Sequence, residues 1–532
     1  MNVFQIAWKS IRQRWLASSL TMASMALGVM LVVAVLSIHG VVSQQFRNNA
    51  TLGYNLLVGA DKGGRLQLTL NSIFYLSQPV ENIDYRFYLQ FVDEQERREA
   101  WSHSLAASKL RGSVEPATLT PEQLEQLGVP AKGDYTDYVA YAVPLCLGDY
   151  YGRFRVVATT TAFFEHLVVN NETGSGFAFQ DGRPLENWNE EHGFFEAVIG
   201  STVAREKNIK VGDHIFPAHG DPEGEAHEQG FYVAGVLAPS GTPNDRAVFV
   251  NMEGFFQMDK HAKPLSGEEA ELESELEKLS AGADAATDAA TDAPSDDNDG
   301  HKHGVDAHFA IRKPLDLEKR EVTAVLVKTV NPFVGSNLKT MINEGKEGQC
   351  AEPVRQIYSL LEIFVRPIQW VLLILTGMIC LVSGISILVS IYNSMSERRH
   401  ELSVIRALGA SQWTVTWIVL LEAMMLAMGG GLIGWGLGHG LNVAASGMVE
   451  ERTGVRMDFL DFAPPIDLGE MLAVDTESED GFSGFVGRMM GFLPAISPEL
   501  LIIPALLALA VLVGLLPAYE AYRTDVATWL GK

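Results

Sequence analysis

The chain has 532 residues, a mean hydropathy of +0.09 and a formal net charge of −25. An acidic balance of that size excludes nucleic-acid binding, which needs a basic footprint, and 3 cysteines are too few for a disulfide scaffold. The apolar residues, 47% of the total, concentrate in about four blocks, while the remainder reads as ordinary soluble protein.

Residues 1–15 are expected in the cytoplasm, because Lys9, Arg12 and Arg14 precede the first apolar block with no acid among them. That block, 16–38, is long enough to cross a hydrocarbon core of about 30 Å. It is longer than the apolar part of a signal peptide, and no A-x-A site follows it.

Residues 39–366 read as one large mixed α/β domain outside the membrane. Phe154–Thr161, Glu196–Gly200, Phe231–Leu237, Arg246–Val250 and Glu321–Lys328 have strand character. Ser201 is placed to cap a helix Thr202–Lys207, Val211–His214 reads as a turn into another strand, and Pro239–Asp245 as a loop. Cys146 and Cys350 either pair in an oxidising compartment or remain two free thiols, and Cys380 reads as a small buried hydrophobe.

Inside this domain residues 263–310 form an acidic insert. Its first half, Gly267–Lys278, suits an acidic helix; its second half, with Ala-Ala-Thr-Asp twice over, has almost nothing to bury and is expected to be disordered. It ends in Asp299-Gly-His-Lys-His303, with His308 shortly after and His214, His219 and His227 upstream. Imidazoles beside carboxylates suit transient capture of Zn or Cu, which makes His301, His303 and His308 the candidate metal ligands. A solvated linker with incidental histidines is the competing reading, since the spacing fixes no geometry.

The remaining apolar blocks are 367–392, 413–441 and 500–519. The segment 393–412 carries Arg398, Arg399 and Arg406 and is therefore cytoplasmic, as is 520–532, which leaves 442–499 as a second outside loop. Within 393–412, Ser396 can cap a helix with Glu397 in its first turn and Arg406 in its last; Leu402, Ile405 and Leu408 form an apolar stripe. Gly409 suits the left-handed stop and Ser411 the cap of the next helix. A mere anchor needs no helix, stop and restart packed so tightly. Glu397, Arg398, Arg399, Glu401, Arg406 and Gly409 are therefore the expected docking residues for a cytoplasmic partner. In the third block Gly430, Gly434 and Gly438, four residues apart, permit close helix approach, within the chain or between subunits. Glu422, in the same block, is expected to face protein or a wet crevice in a structural role, with no second buried charge beside it.

Four spans, one large outside domain after the first and a basic helix between the second and third resemble the MacB/FtsX-like ABC permeases. The segment Glu397–Ala410 is similar to that family's coupling segment. Phe179-Gln-Asp-Gly-Arg-Pro-Leu185, followed by Ala197–Gly200, Val211–Asp213 and Phe231–Val236, is similar to its periplasmic core domain, and Gly514-Leu-Leu-Pro-Ala518 adds a weaker match. The resemblance implies four transmembrane α-helices in the inner membrane, a MacB-like domain between the first two, and export or extraction of a substrate. A regulator of a periplasmic enzyme, or a zinc-linked transport component, is the alternative. It also implies a separate cytoplasmic ATPase, a second permease copy or paralogue, and a periplasmic or lipoprotein partner. No G-x-x-x-x-G-K-[ST] string occurs, so ATP belongs to the partner; the chain itself is expected to be no enzyme, with no catalytic residue and no cofactor beyond transient Zn. The acidic insert and the long loop 442–499 depart from the family pattern.

Overall fold

The structure, a computed structural model, describes residues 3–50, 52–76, 78–111, 119–130, 132–170, 173–288, 313–397, 404, 406–407, 409–453, 457–463 and 497–523. The chain forms two compact units: residues 1–45 with 361–532, and residues 46–360.

The first unit is helical. It opens with α1, Val3–Gln13, which buries Ala7, Ser10 and Ile11 and leaves Phe4 and Trp8 outward. This amphipathic helix occupies what reads in the sequence as a plain cytoplasmic tail. After one irregular residue the chain continues into α2, Trp15–Asn49, beyond the expected limit at residue 38.

The second unit is built on an eleven-stranded sheet. Its strands are β1 Leu56–Gly59, β3 Val139–Tyr151, β4 Phe154–Thr159, β5 Phe179–Gly182, β6 Glu196–Ile199, β7 His214–Ile215, β8 Ala218–His219, β9 Phe231–Leu237, β10 Ala247–Asn251, β12 Ala324–Thr329 and β13 Gln349–Ala351. The order is β13-β1-β12-β3-β4-β10-β6-β9-β5, with β7 beside β9 and β8 beside β3. A short ladder joins β2, Ile83–Asp84, to β11, Glu321–Val322. β4 and β10 pair in parallel, as do β6 and β9. β4, β6 and β10 are buried along their whole length, which is why they are apolar runs and not alternating patterns. Val58, Tyr88, Phe91, Phe154, Phe195, Phe231 and Val248 form part of one apolar core. Each such side chain contributes about 1.5–3 kcal/mol of burial.

Some local readings shift. The expected strand Glu321–Lys328 is two strands, β11 and β12, broken at Thr323, whose hydroxyl donates to Asn82 Oδ1 at 2.9 Å. The helix after β6 begins at Ser201, so Gly200 and not Ser201 is the residue before it. Cys146 on β3 and Cys350 on β13 are buried free thiols. Two strands lie between theirs, a separation of about 14 Å against the roughly 7 Å that a disulfide can bridge between Cα atoms. Burial pushes both thiols up, Cys350 to about 12.

The Phe179–Leu185 motif proves to be a packing device. Gly182 has φ +75°, and a Cβ there would lie 2.1 Å from the Ala234 carbonyl oxygen. Arg183 then donates through Nη1 and Nη2 to the buried Glu196 carboxylate, at 2.9 and 2.5 Å, and the Glu186 N–H donates to the same group at 2.9 Å. Glu196→Ala is expected to destabilise the domain by about 2 kcal/mol, less than a fully buried pair because Arg183 reaches water; chemical unfolding of the full chain measures it.

The acidic helix of the insert, α3, runs Glu268–Asp288. It extends past Lys278 through the first Ala-Ala-Thr-Asp, in keeping with alanine's high helix propensity. Lys109, Arg86 and Lys319 hold it through Glu275, Glu269 and Glu273. Residues 289–310 of the insert lie outside the described residues.

The chain returns to the helical unit through Pro353–Leu360, a π-helical turn Leu361–Val365, and α4, Arg366–Glu397. α5 spans Gln412–Thr453 and α6 spans Pro498–Arg523. α5 thus continues twelve residues into what reads as loop 442–499, since no proline or other stop interrupts it at residue 441. Among the described residues, three helices are long and apolar enough to cross a bilayer, in α2, α5 and α6; α4 holds a shorter apolar stretch, Gly377–Asn393. Met25, Ile391, Val419, Ala423, Ala427 and Ala510 pack together between them.

Candidate functional site

Two features of the helical unit bear on function. The first is the approach of α5 to α2. A Cβ on Gly430 would meet Met25 Cβ at 2.9 Å; on Gly434, the Ala26 carbonyl oxygen at 2.5 Å; on Gly438, Val33 Cβ at 2.8 Å. The stripe therefore lies against α2, the first long apolar helix of its own chain. A Cβ on Gly514 of α6 would lie 3.3 Å from Leu420 Cδ2 and 3.4 Å from Ala423 Cβ of α5, a looser approach.

The second is a set of buried polar pairs. Ser10 Oγ donates to Glu422 Oε2 at 3.0 Å. About 26 Å further along α5, His439 Nε2 lies 3.0 Å from Glu499 Oε2, with both side chains fully buried. Ser37 Oγ donates to Glu499 Oε1 at 2.5 Å, and the Ala463 N–H donates to the same oxygen at 2.8 Å. Trp435, Phe459 and Phe462 surround the His439 ring. Glu422 thus has a serine as a partner, while a second buried carboxylate, Glu499, lies farther along the bundle with His439. The only signal was Glu499 one residue before the fourth apolar block, too close to its edge to read as buried.

Between α4 and α5 the expected coupling helix is placed only in part. Glu397 is the last residue of α4, so Ser396 lies inside that helix and not at the start of a separate one, a correction to its expected place. Arg398, Arg399 and Glu401 lie outside the described residues. Arg406 precedes a turn in which the Gly409 N–H donates to the Arg406 carbonyl at 3.0 Å, with Gly409 at φ +102°. Ser411 Oγ accepts from the Thr414 N–H at 3.2 Å and caps α5.

The outside unit holds a cluster of metal-ligand type that spacing did not reveal. Asp149, His219, His227 and His261 each present one donor atom, all within 4.8 Å of one another. Asp149 sits where β3 bulges between Leu147 and Tyr150, so it faces β8 and pairs with His219. The chain turns back after β8: His219 N–H donates to the Glu225 carbonyl and His227 N–H to the Pro217 carbonyl. His261 follows Lys260, which adopts φ +70°, and its ring packs 4.2 Å from that of Phe255. His227 Nε2 and His261 Nε2 lie 3.1 and 3.2 Å from Asp149 Oδ2, and His219 Nδ1 lies 3.4 Å from Oδ1. Burial alone would push the Asp149 carboxyl up; His227 and His261 outweigh it and hold it at about 2. Burial lowers the pKa of His219, against the pull of the Asp149 charge. The expected ligands His301, His303 and His308 lie outside the described residues. His219 and His227 stood out in the sequence as histidines, but Asp149 and His261 had no signal there.

A family model described as the MacB-like periplasmic core domain matches residues 18–290, just over half of the chain. A second, the FtsX-like permease C-terminal, matches residues 373–526. No curated protein matches the chain. With both models matched in chain order, the chain belongs to the MacB/FtsX-like family of ABC transporter permeases, which are transport components of the membrane.

Proposed function

We propose that this chain is the membrane subunit of a transporter powered by a separate ATPase, and that it passes the ATPase cycle to its outside domain to export or extract a substrate. Permeases of the family generally work with a cytoplasmic ABC ATPase. In this reading α2, α4, α5 and α6 cross the inner membrane, both termini are cytoplasmic, and two permease subunits face two ATPases. The observation that carries the orientation is a grouping at one end of the helical unit. Arg14 Nη2 donates to the Asn393 carbonyl at 3.5 Å, and Ser10 bonds Glu422 near the start of α5. The basic N-terminal segment therefore shares one end of the unit with the last turns of α4 and the first turns of α5, and positive charge marks the cytoplasmic side.

The coupling step follows from connectivity. Movement of the 397–411 segment in an ATPase groove would be passed to both α4 and α5, because that segment links the end of α4 at Glu397 to the start of α5 at Gln412. α4 leads back to the π-helical turn Leu361–Val365, where the chain passes between the two units. Such turns interrupt the regular ladder and suit a hinge. Replacing Arg398, Arg399 and Glu401 together with Ala is expected to cut co-purification of the ATPase at least tenfold while the permease still reaches the membrane. Unchanged co-purification would refute the docking role.

A further inference from the structure

We infer that Asp149, His219, His227 and His261 form a binding site for one divalent transition-metal ion of the zinc class. The inference rests on side chains of the outside unit alone and stands whether or not the coupling reading holds.

The donor set comes first. Three imidazoles and a carboxylate suit Zn(II), which takes nitrogen and oxygen ligands in tetrahedral array. An ion with bonds of about 2.0–2.2 Å holds its ligand atoms about 3.3–3.5 Å apart. Here His227 Nε2 and His261 Nε2 are 3.2 Å apart, and the imidazole-to-carboxylate distances are 3.1, 3.2 and 3.4 Å. These contacts are close to coordination spacing, and four donor atoms, one from each residue and drawn from three separate segments of chain, all lie within 4.8 Å of one another.

Proton bookkeeping then separates a metal site from a hydrogen-bonded cluster. His227 Nε2, His261 Nε2 and Asp149 Oδ2 form a triangle with three short edges. Each imidazole nitrogen carries at most one hydrogen, aimed in one direction, and the ionised carboxylate carries none. Two hydrogens cannot serve three edges, so in every tautomer one edge sets lone pair against lone pair or N–H beside N–H. Consistent with this, neither Asp149 oxygen accepts a hydrogen bond of good geometry, although the side chain is fully buried. Orphaned carboxylate oxygens at such depth are costly. A cation at the centre satisfies all four ligands at once.

Access and strain agree. His227 and His261 are buried, while the His219 side chain is 46% exposed and gives the ion a way in from solvent. Lys260, immediately before His261, holds a left-handed conformation that costs a residue with a Cβ about 1–2 kcal/mol.

The test uses the full-length chain in detergent, stripped with a chelator and titrated with Zn(II) by calorimetry and with Co(II) by absorption. One tight equivalent is expected, with the intense visible bands of tetrahedral Co(II). His227→Ala and His261→Ala should each weaken Zn(II) binding at least tenfold. The triple substitution of His301, His303 and His308 with Ala should leave the tight equivalent in place. The proposal is overturned by a tight equivalent that survives in the His227→Ala/His261→Ala double variant, by its loss in the triple variant, or by an octahedral Co(II) spectrum. Should the buried variants misfold, His219→Ala decides. Its ring is partly exposed, so the fold is expected to persist by circular dichroism, and unchanged affinity would then sink the four-ligand site.

Discussion

Glu499→Ala is expected to destabilise the helical unit by about 1–3 kcal/mol, the cost of taking a buried hydrogen-bond acceptor away from the groups that face it. The substitution leaves the buried Ala463 N–H without its acceptor and the His439 ring without the carboxylate beside it, while the Ser37 hydroxyl falls back on the Val33 carbonyl at 2.9 Å. The aromatic side chains of Trp435, Phe459 and Phe462 around His439 leave little room for water to take its place. A matched variant gives the effect its meaning. Replacing His439 and Glu499 together with Leu removes both polar side chains and refills the volume, so it should lose much less than Glu499→Ala. Unfolding of the full chain in mixed micelles, followed by tryptophan fluorescence, measures both. Equal losses would show that the pair matters only for packing.

Gly434→Val is expected to cost about 1–3 kcal/mol by overpacking, and to reduce whatever ATPase coupling the bundle supports. The added atoms would start 2.5 Å from the Ala26 carbonyl oxygen and 2.6 Å from Val29 Cβ. A backbone carbonyl cannot swing away as the tip of a long side chain can, so α2 and α5 must part. Gly436, two residues along, has nothing within 4 Å of its Cβ position. Gly436→Ala should therefore be neutral or stabilising by up to about 1 kcal/mol, from helix propensity alone. The same unfolding measurement on both variants separates a packed interface from a general need for glycine; comparable losses at the two positions would count against the close approach.

Much of the architecture was legible because it is written in local terms. The apolar runs that become α2, α4, α5 and α6 need only their own composition to be read, and β4, β6, β9 and β10 are recognisable as short β-branched runs. Gly409 could be assigned its left-handed turn from its place after an amphipathic stretch, and the Phe179–Leu185 motif from its resemblance alone. What local patterns missed was contact. Nothing about Ser37, His439 or Glu499 separately announces that they meet. The helix ends were missed for a related reason: α2 and α5 run on past their apolar blocks, since hydropathy marks where lipid could lie and not where the hydrogen-bond ladder stops.

The metal cluster shows the division most sharply. The amino-acid sequence by itself determined that the chain carries membrane-length apolar runs and a large domain outside them, because hydrophobic burial in lipid and in strands is an additive property of neighbouring residues; the permease reading came from the resemblance of its motifs. It also determined that histidines and acids are plentiful in that domain. Only the tertiary structure decided which of them converge. Asp149, the pair His219 and His227, and His261 lie on three separate stretches of chain and come together through a bulge in β3, the reversal after β8 and the turn at Lys260. Coordination depends on distances of a few ångströms in three dimensions, and chain spacing encodes those only after the backbone has folded.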